Sequence, residues 1–170
     1  MDYYTDKGGK HMLLQFTVKN YRSLRDEAVL DMEAAGFGDH KDCLLNYKRQ
    51  AYLPVVSING KNGGGKSNVI RAMWLAAQFI KNAQRTQHER AEVPVTPFEL
   101  NDYSKNEPTA FEFRYEDNGI WYCYGFSATR KYICEEHLYW APKGQRSVVF
   151  DRKYQEFSFP VNSDKKIKEM

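Results

Sequence analysis

Along the chain, apolar and polar residues alternate in some stretches and recur at helical spacing in one. Leu14, Phe16 and Val18 alternate with Gln15, Thr17 and Lys19, the period of a half-buried strand. Asn20-Tyr21-Arg22-Ser23 breaks the alternation, and Ala28, Leu30 and Met32 resume it on one face, so an antiparallel pair is expected here. Ala34 to Gln50 carries glycines and scattered charges and reads as a surface loop. Leu53-Pro54-Val55-Val56-Ser57-Ile58 is a short, nearly continuous apolar run, as a fully buried parallel strand would be. From Lys66 onward Val69, Ile70, Met73, Trp74, Ala77 and Ile80 recur at helical spacing, with Arg71, Gln78 and Lys81 facing away. The helix turns polar over Asn82 to Arg90, and Pro94 and Pro97 stop it.

The second half returns to a period of two. Phe111, Phe113 and Tyr115 alternate with Glu112, Arg114 and Glu116; Asp117-Asn118-Gly119 supplies a hairpin turn; Ile120, Tyr122, Tyr124 and Phe126 continue on the next strand. Tyr132–Trp140, Ser147–Arg152 and Tyr154–Phe159 read as three more strands, giving an aromatic-rich antiparallel meander over about 109–159. Because the aromatics alternate as a packed face does, they are read as core and cross-strand pairs, not as a base-stacking platform.

Composition narrows the class without naming a function. A length of 170 residues, 42% hydrophobic and 15% aromatic, suits one globular domain with a good core. A net charge of +3 is too small to argue for a nucleic-acid surface. Cys43, Cys123 and Cys134 form no C-x-x-C pair and give neither a disulfide framework nor a zinc site, so they read as ordinary reduced thiols of a cytoplasmic protein. No stretch has the length of a membrane span and the N-terminus has no apolar signal core, so no membrane partner is expected. Residues 1–11 are polar and patternless and run into His-Met at 11–12, the dipeptide left by a common cloning site, so they read as an expression tag with the natural start at Met12.

The chemistry concentrates in one stretch, Asn59-Gly60-Lys61-Asn62-Gly63-Gly64-Gly65-Lys66-Ser67, which fits G-x-x-x-x-G-K-[ST] over residues 60–67. A polyphosphate is held well by backbone N–H groups at a helix N-terminus, where unsatisfied donors and the helix dipole point outward. Wrapping a loop that tightly requires residues that tolerate positive φ, and Gly63, Gly64 and Gly65 supply that freedom. Lys66 would reach the β- and γ-phosphates of ATP and the Ser67 hydroxyl would coordinate Mg²⁺, the one metal role the sequence assigns. An ATPase also needs an apolar strand ending in Asp or Asp-Glu to hold the Mg²⁺. Phe111–Asp117 and Tyr132–Glu136 are the only candidates, and both fit hairpin strands better; no Leu-Ser-Gly-Gly signature is present.

An N-terminal strand ending Asn20-Tyr21-Arg22-Ser23, a second strand, and then Gly60-Lys61-Asn62-Gly63-Gly64-Gly65-Lys66-Ser67-Asn68 resembles the N-terminal lobe of ABC-type ATPase heads. Within that group, the chain is similar to bacterial AAA-family ATP-binding proteins of abortive-infection, OLD-like, retron and Septu-type phage-defence systems. Pro97-Phe98 and the aromatic hairpins look like the parts that follow the loop there. The resemblance implies an α/β fold, a mixed sheet with the P-loop helix plus the aromatic antiparallel meander, as one lobe over residues 12–162. Residues 163–170 would begin a helical segment that is cut short, in a shortened or naturally split protein. It further implies a cofactor site for ATP and Mg²⁺ made by Asn59, Gly60, Lys61, Asn62, Gly63, Gly64, Gly65, Lys66, Ser67 and Asn68, with Arg22 and Ser23 as further candidates. The expected partner is a second ATPase head, dimerising head to head, with an effector protein or DNA as further partners. Three functions stay open: the nucleotide switch of an ATPase, a nucleotide-dependent protein-interaction module without turnover, and a DNA-binding or repair ATPase. Hydrolysis is expected of a complete ATPase and not of this chain alone.

Overall fold

The structure, a computed structural model, describes residues 11–36, 41–86 and 93–160. Its centre is a seven-stranded sheet in the order β2-β1-β5-β6-β7-β8-β9. The strands are β1 (His11–Lys19), β2 (Ala28–Asp31), β5 (Thr109–Asp117), β6 (Ile120–Ala128), β7 (Ile133–Ala141), β8 (Ser147–Lys153) and β9 (Glu156–Ser158). A separate two-stranded hairpin joins β3 (Leu45–Tyr47) to β4 (Gln50–Tyr52). Helix α1 (Lys66–Thr86) lies against one face of the large sheet, and the short helix α2 (Asp102–Asn106) precedes β5. Asn101 caps α2 by accepting the Ser104 N–H at 2.7 Å.

Register explains the core. Phe16 faces Phe113 across β1 and β5, Val18 faces Phe111, Phe111 faces Phe126 across β6, and Tyr124 faces Leu138 across β7. With a side-chain period of two, these residues share one face, and α1 covers it with Val69, Ala72, Met73, Ala76 and Phe79. Ala72 and Ala76 are fully buried, and their small side chains let the helix backbone approach the sheet. Phe79 then stacks on Phe126 with ring centroids 4.8 Å apart. Burial of Phe16 and Val18, both completely enclosed, stabilises the fold by about 1.5–3 kcal/mol each.

The N-terminal antiparallel pair and the five-stranded meander stand where the alternation predicts them. Asn118 and Gly119 both have positive φ, +50° and +84°, as a two-residue hairpin turn between twisted strands requires. The aromatic pairs are packed pairs: Tyr115 stacks on Tyr122 at 5.2 Å, and Phe111 meets Phe126 at 5.1 Å.

Four expectations are corrected. Residues 53–58 are not a strand, and Val55 is 79% exposed. The chain pairs as far as Leu53, whose N–H donates to the Met32 carbonyl at 2.7 Å; Pro54 then removes a donor, and no described strand lies alongside to continue a ladder. All strand pairs among the described residues are consequently antiparallel, so the sheet is not mixed. The stretch 34–50 is not wholly a loop: it holds a 3-10 turn at Lys41–Cys43, β3 and the start of β4. The buried face of α1 is centred on Ala72 and Ala76, whereas Ile70, Trp74 and Ala77 form an exposed stripe, Trp74 being 64% exposed. The helix is apolar on two arcs, and the weight of Trp and Ile in the pattern favoured the wrong one. Strand β1 begins at His11, the last residue of the stretch read as a tag; residues 1–10, and the helical start expected at 163–170, lie outside the described residues.

Candidate functional site

The stretch from Asn59 to Gly65 is an exposed loop that delivers the chain into the first turn of α1. Gly63 and Gly65 take φ of +79° and +85°, the left-handed region that a residue with a Cβ enters at a cost. The loop closes on itself: the Gly64 N–H donates to the Lys61 carbonyl at 3.1 Å, and the Gly65 carbonyl accepts from the N–H groups of Asn68 and Val69 at 2.9 and 3.2 Å. Lys66 Nζ reaches back across the loop and donates to the carbonyls of Gly60 and Lys61 at 2.6 and 2.7 Å. Asn59 is held by a 3.1 Å bond from its amide to Ser57 Oγ. Lys66 and Ser67 open the helix, with the Asn68 N–H already taken by the Gly65 carbonyl, and the positive end of the dipole emerges here. A lysine and the N-terminus of a long helix therefore meet at one glycine-rich turn, an arrangement suited to a chain of phosphates.

Of the two N-terminal candidates the structure brings one to the loop. Ser23 Oγ accepts from the Asn68 side-chain amide at 2.7 Å, and a Cβ added to Gly65 would sit 3.3 Å from it and 3.1 Å from Leu24 Cδ2. The β1–β2 turn thus forms a wall against which the loop packs. Arg22 is used differently: its backbone has φ of +50°, its N–H donates to the Thr96 carbonyl at 2.8 Å, and its guanidinium stands 5.7 Å over the Tyr21 ring.

Three of the acidic residues weighed as a magnesium strand, Glu112, Glu116 and Glu136, are engaged within the meander. Glu112 is paired with Arg114 at 2.8 Å and faces His137 at 3.5 Å; the His137 hydrogen bond, against burial and with help from the Arg114 charge, lowers its pKa to about 2. Glu116 accepts the Gly119 N–H inside the hairpin turn. Glu136 accepts from Tyr124 Oη at 2.6 Å and pairs with Arg152 at 3.1 Å. Each carboxylate satisfies a neighbour in the meander.

One residue that underpins the site escaped the sequence reading. Asn20 is buried, with φ of +54°, and its amide donates to the carbonyls of Ser104, Glu107 and Pro108 while its Oδ1 accepts the Phe98 N–H at 3.0 Å. It ties the end of β1 to the Pro97-Phe98 segment and to α2, and so sets the turn that carries Ser23. The available signal was an Asn at the point where strand alternation breaks, a residue type suited both to positive φ and to bonding backbone groups.

No helix among the described residues is long and apolar enough to cross a membrane. No curated protein matches the chain. A family model described as AAA domain, putative AbiEii toxin, Type IV TA system matches residues 55–166, which take in the loop, α1 and strands β5 to β9. With the larger part of its length inside that model, the chain belongs to this family and carries a P-loop ATPase domain of the AAA type.

Proposed function

We propose that the chain binds ATP with Mg²⁺ through residues 59–68, as the N-terminal lobe of an ABC-type head that serves as the nucleotide switch of a bacterial abortive-infection or phage-defence system. The observation that carries the reading is Lys66, whose ammonium already lies across the glycine loop on the carbonyls of Gly60 and Lys61, at the open end of a 21-residue helix. In this reading the loop amides and Lys66 take the phosphates and Ser67 Oγ takes the Mg²⁺. Ser23 acts through Asn68 to hold the first helical turn.

The chain by itself holds nucleotide without turning it over, because the two stretches weighed for Mg²⁺ are hairpin strands of the meander, with Glu116 and Glu136 committed to partners there. The carboxylate that positions attacking water comes from outside the described residues, and the uncovered stripe of Ile70 and Trp74, with Val55 beside the loop in sequence, is where further protein would pack. A nucleotide-gated interaction module without turnover is the second reading, favoured by the same committed carboxylates. DNA binding is the third.

Titration of the chain with a fluorescent ATP analogue in the presence of Mg²⁺ tests the proposal. Lys66→Ala is expected to weaken binding about 10- to 100-fold, the loss of a charge-assisted hydrogen bond. Undiminished binding by that variant would remove the site. ATP turnover by the unmodified chain alone would contradict the committed-carboxylate argument, and a salt-dependent shift of DNA would favour the third reading.

A further inference from the structure

The face of the sheet turned away from α1 carries a second concentration of chemistry. Glu112 on β5, Cys123 on β6 and His137 on β7 project from three neighbouring strands on that face. Register brings them together through a missing side chain. Gly125 sits between Glu112 and His137 in the ladder, and a Cβ there would come within 2.5 Å of the His137 ring. The imidazole can lie over the glycine only because that Cβ is absent, and it then spans the middle strand to reach Glu112.

We propose that Glu112 Oε2, Cys123 Sγ and His137 Nε2 form a three-ligand site for a borderline-soft divalent transition metal, zinc being the natural occupant. The separations fit. Nε2 lies 3.5 Å from Oε2 and 3.9 Å from Sγ, and all three donor atoms lie within 4.8 Å of one another. Tetrahedral zinc with its usual bonds to nitrogen, oxygen and sulfur places ligand atoms about 3.4–3.6 Å apart, so the two separations from the imidazole need to close by only a few tenths of an ångström, and rotation of the Glu112 or Cys123 side chain brings the remaining pair, within 4.8 Å, into range.

The surroundings orient the donors. Arg114 Nε donates to Glu112 Oε1 at 2.8 Å, which leaves Oε2 for the shared centre. The His137 ring stacks on Tyr139 at 4.7 Å, and Tyr139 is itself held by Asp151 through a 2.7 Å hydrogen bond and by Arg146 at 3.9 Å. Such outer contacts are what fix the ring and carboxylate orientations of metal ligands. A cavity of about 440 Å³ opens over Glu112 and His137, bordered also by Gln15, Thr17, Glu27 and Glu135, with Cys123 buried beneath, and gives access for the ion and room for a fourth ligand such as water. On coordination the thiol proton passes to solvent, and the thiolate and carboxylate balance the charge of the ion. A thiolate with an imidazole selects zinc or cobalt over magnesium, so this site and the hard-oxygen site at Ser67 sort their metals by chemistry. The inference is independent of nucleotide binding.

Cobalt(II) titration of the metal-stripped chain under anaerobic conditions tests it. Saturation at one equivalent with a thiolate-to-cobalt charge-transfer band and intense tetrahedral d–d bands, displaced by Zn²⁺ and not by Mg²⁺, is expected. Cys123→Ser is expected to abolish the charge-transfer band, while Cys43→Ser and Cys134→Ser leave it unchanged. Gly125→Ala, which displaces the ring, is expected to weaken cobalt binding by about tenfold or more. Absence of the band, or a band that survives Cys123→Ser, would overturn the proposal. Should Cys123→Ser not fold, Glu112→Gln decides: cobalt affinity reduced about tenfold or more supports the site, and unchanged affinity overturns it.

Discussion

Asn68 and Ser23 are joined by a 2.7 Å hydrogen bond between residues 45 positions apart, linking the first turn of α1 to the turn between β1 and β2. Through it the phosphate-type loop is braced against the N-terminal pair of strands.

This pair should behave as a unit. Ser23→Ala and Asn68→Ala are each expected to cost about 0.5–1.5 kcal/mol of stability, and the double variant less than their sum. Urea denaturation of the four proteins measures the coupling; additive losses would show that the bond is not formed in solution.

The loop glycines should differ in a graded way. Gly63→Ala meets open space and is expected to cost about 1–2 kcal/mol from its left-handed backbone alone. Gly65→Ala carries the same strain and also crowds Ser23 and Leu24, so it should cost more and weaken nucleotide binding further. Paired denaturation and nucleotide titrations check the order, and a Gly63→Ala variant more damaged than Gly65→Ala would refute it.

Asn20→Ala should be among the most damaging substitutions outside the core. It removes the side-chain bonds to Ser104, Glu107 and Pro108 and strands the half-buried Phe98 N–H, with an expected loss of about 3 kcal/mol. Asn20→Gly tests the cause, since it relieves the positive φ without restoring the bonds. A Gly variant as stable as the native protein would assign the role to the backbone alone.

Stability should fall in strong alkali. Burial first, and then the hydrogen bond to Glu136, hold the Tyr124 pKa above its ordinary value. The phenol stays protonated in the folded chain while the unfolded chain ionises from about pH 10, so its contribution is complete below that pH and is lost above it. Tyr124→Phe is expected to be about 1 kcal/mol less stable at pH 7, with the gap narrowing as pH rises beyond 10. Denaturation midpoints across pH 7 to 11 check this, and a constant gap would count against it.

What was legible in the sequence was local. The glycine loop declares itself because positive φ, a missing Cβ and a lysine at fixed spacing are demands made within nine residues. The Asp117-Asn118-Gly119 turn and the alternation around it are equally short-range, and they predict the β5–β6 hairpin and the meander that grows from it. The one-sided core of the sheet follows from the same alternation.

Tertiary structure decided whatever depends on a partner distant in sequence. Residues 53–58 have the composition of a buried strand, but a strand exists only where another lies beside it, and after Leu53 none among the described residues does. The helix has two apolar arcs, and only the sheet selects the one with the alanines. Asn20 becomes a tether because α2 and Phe98 arrive around it. Glu112, Cys123 and His137 meet because three registers align, and since a slip of one residue turns a side chain to the opposite face, no spacing along the chain could have announced them.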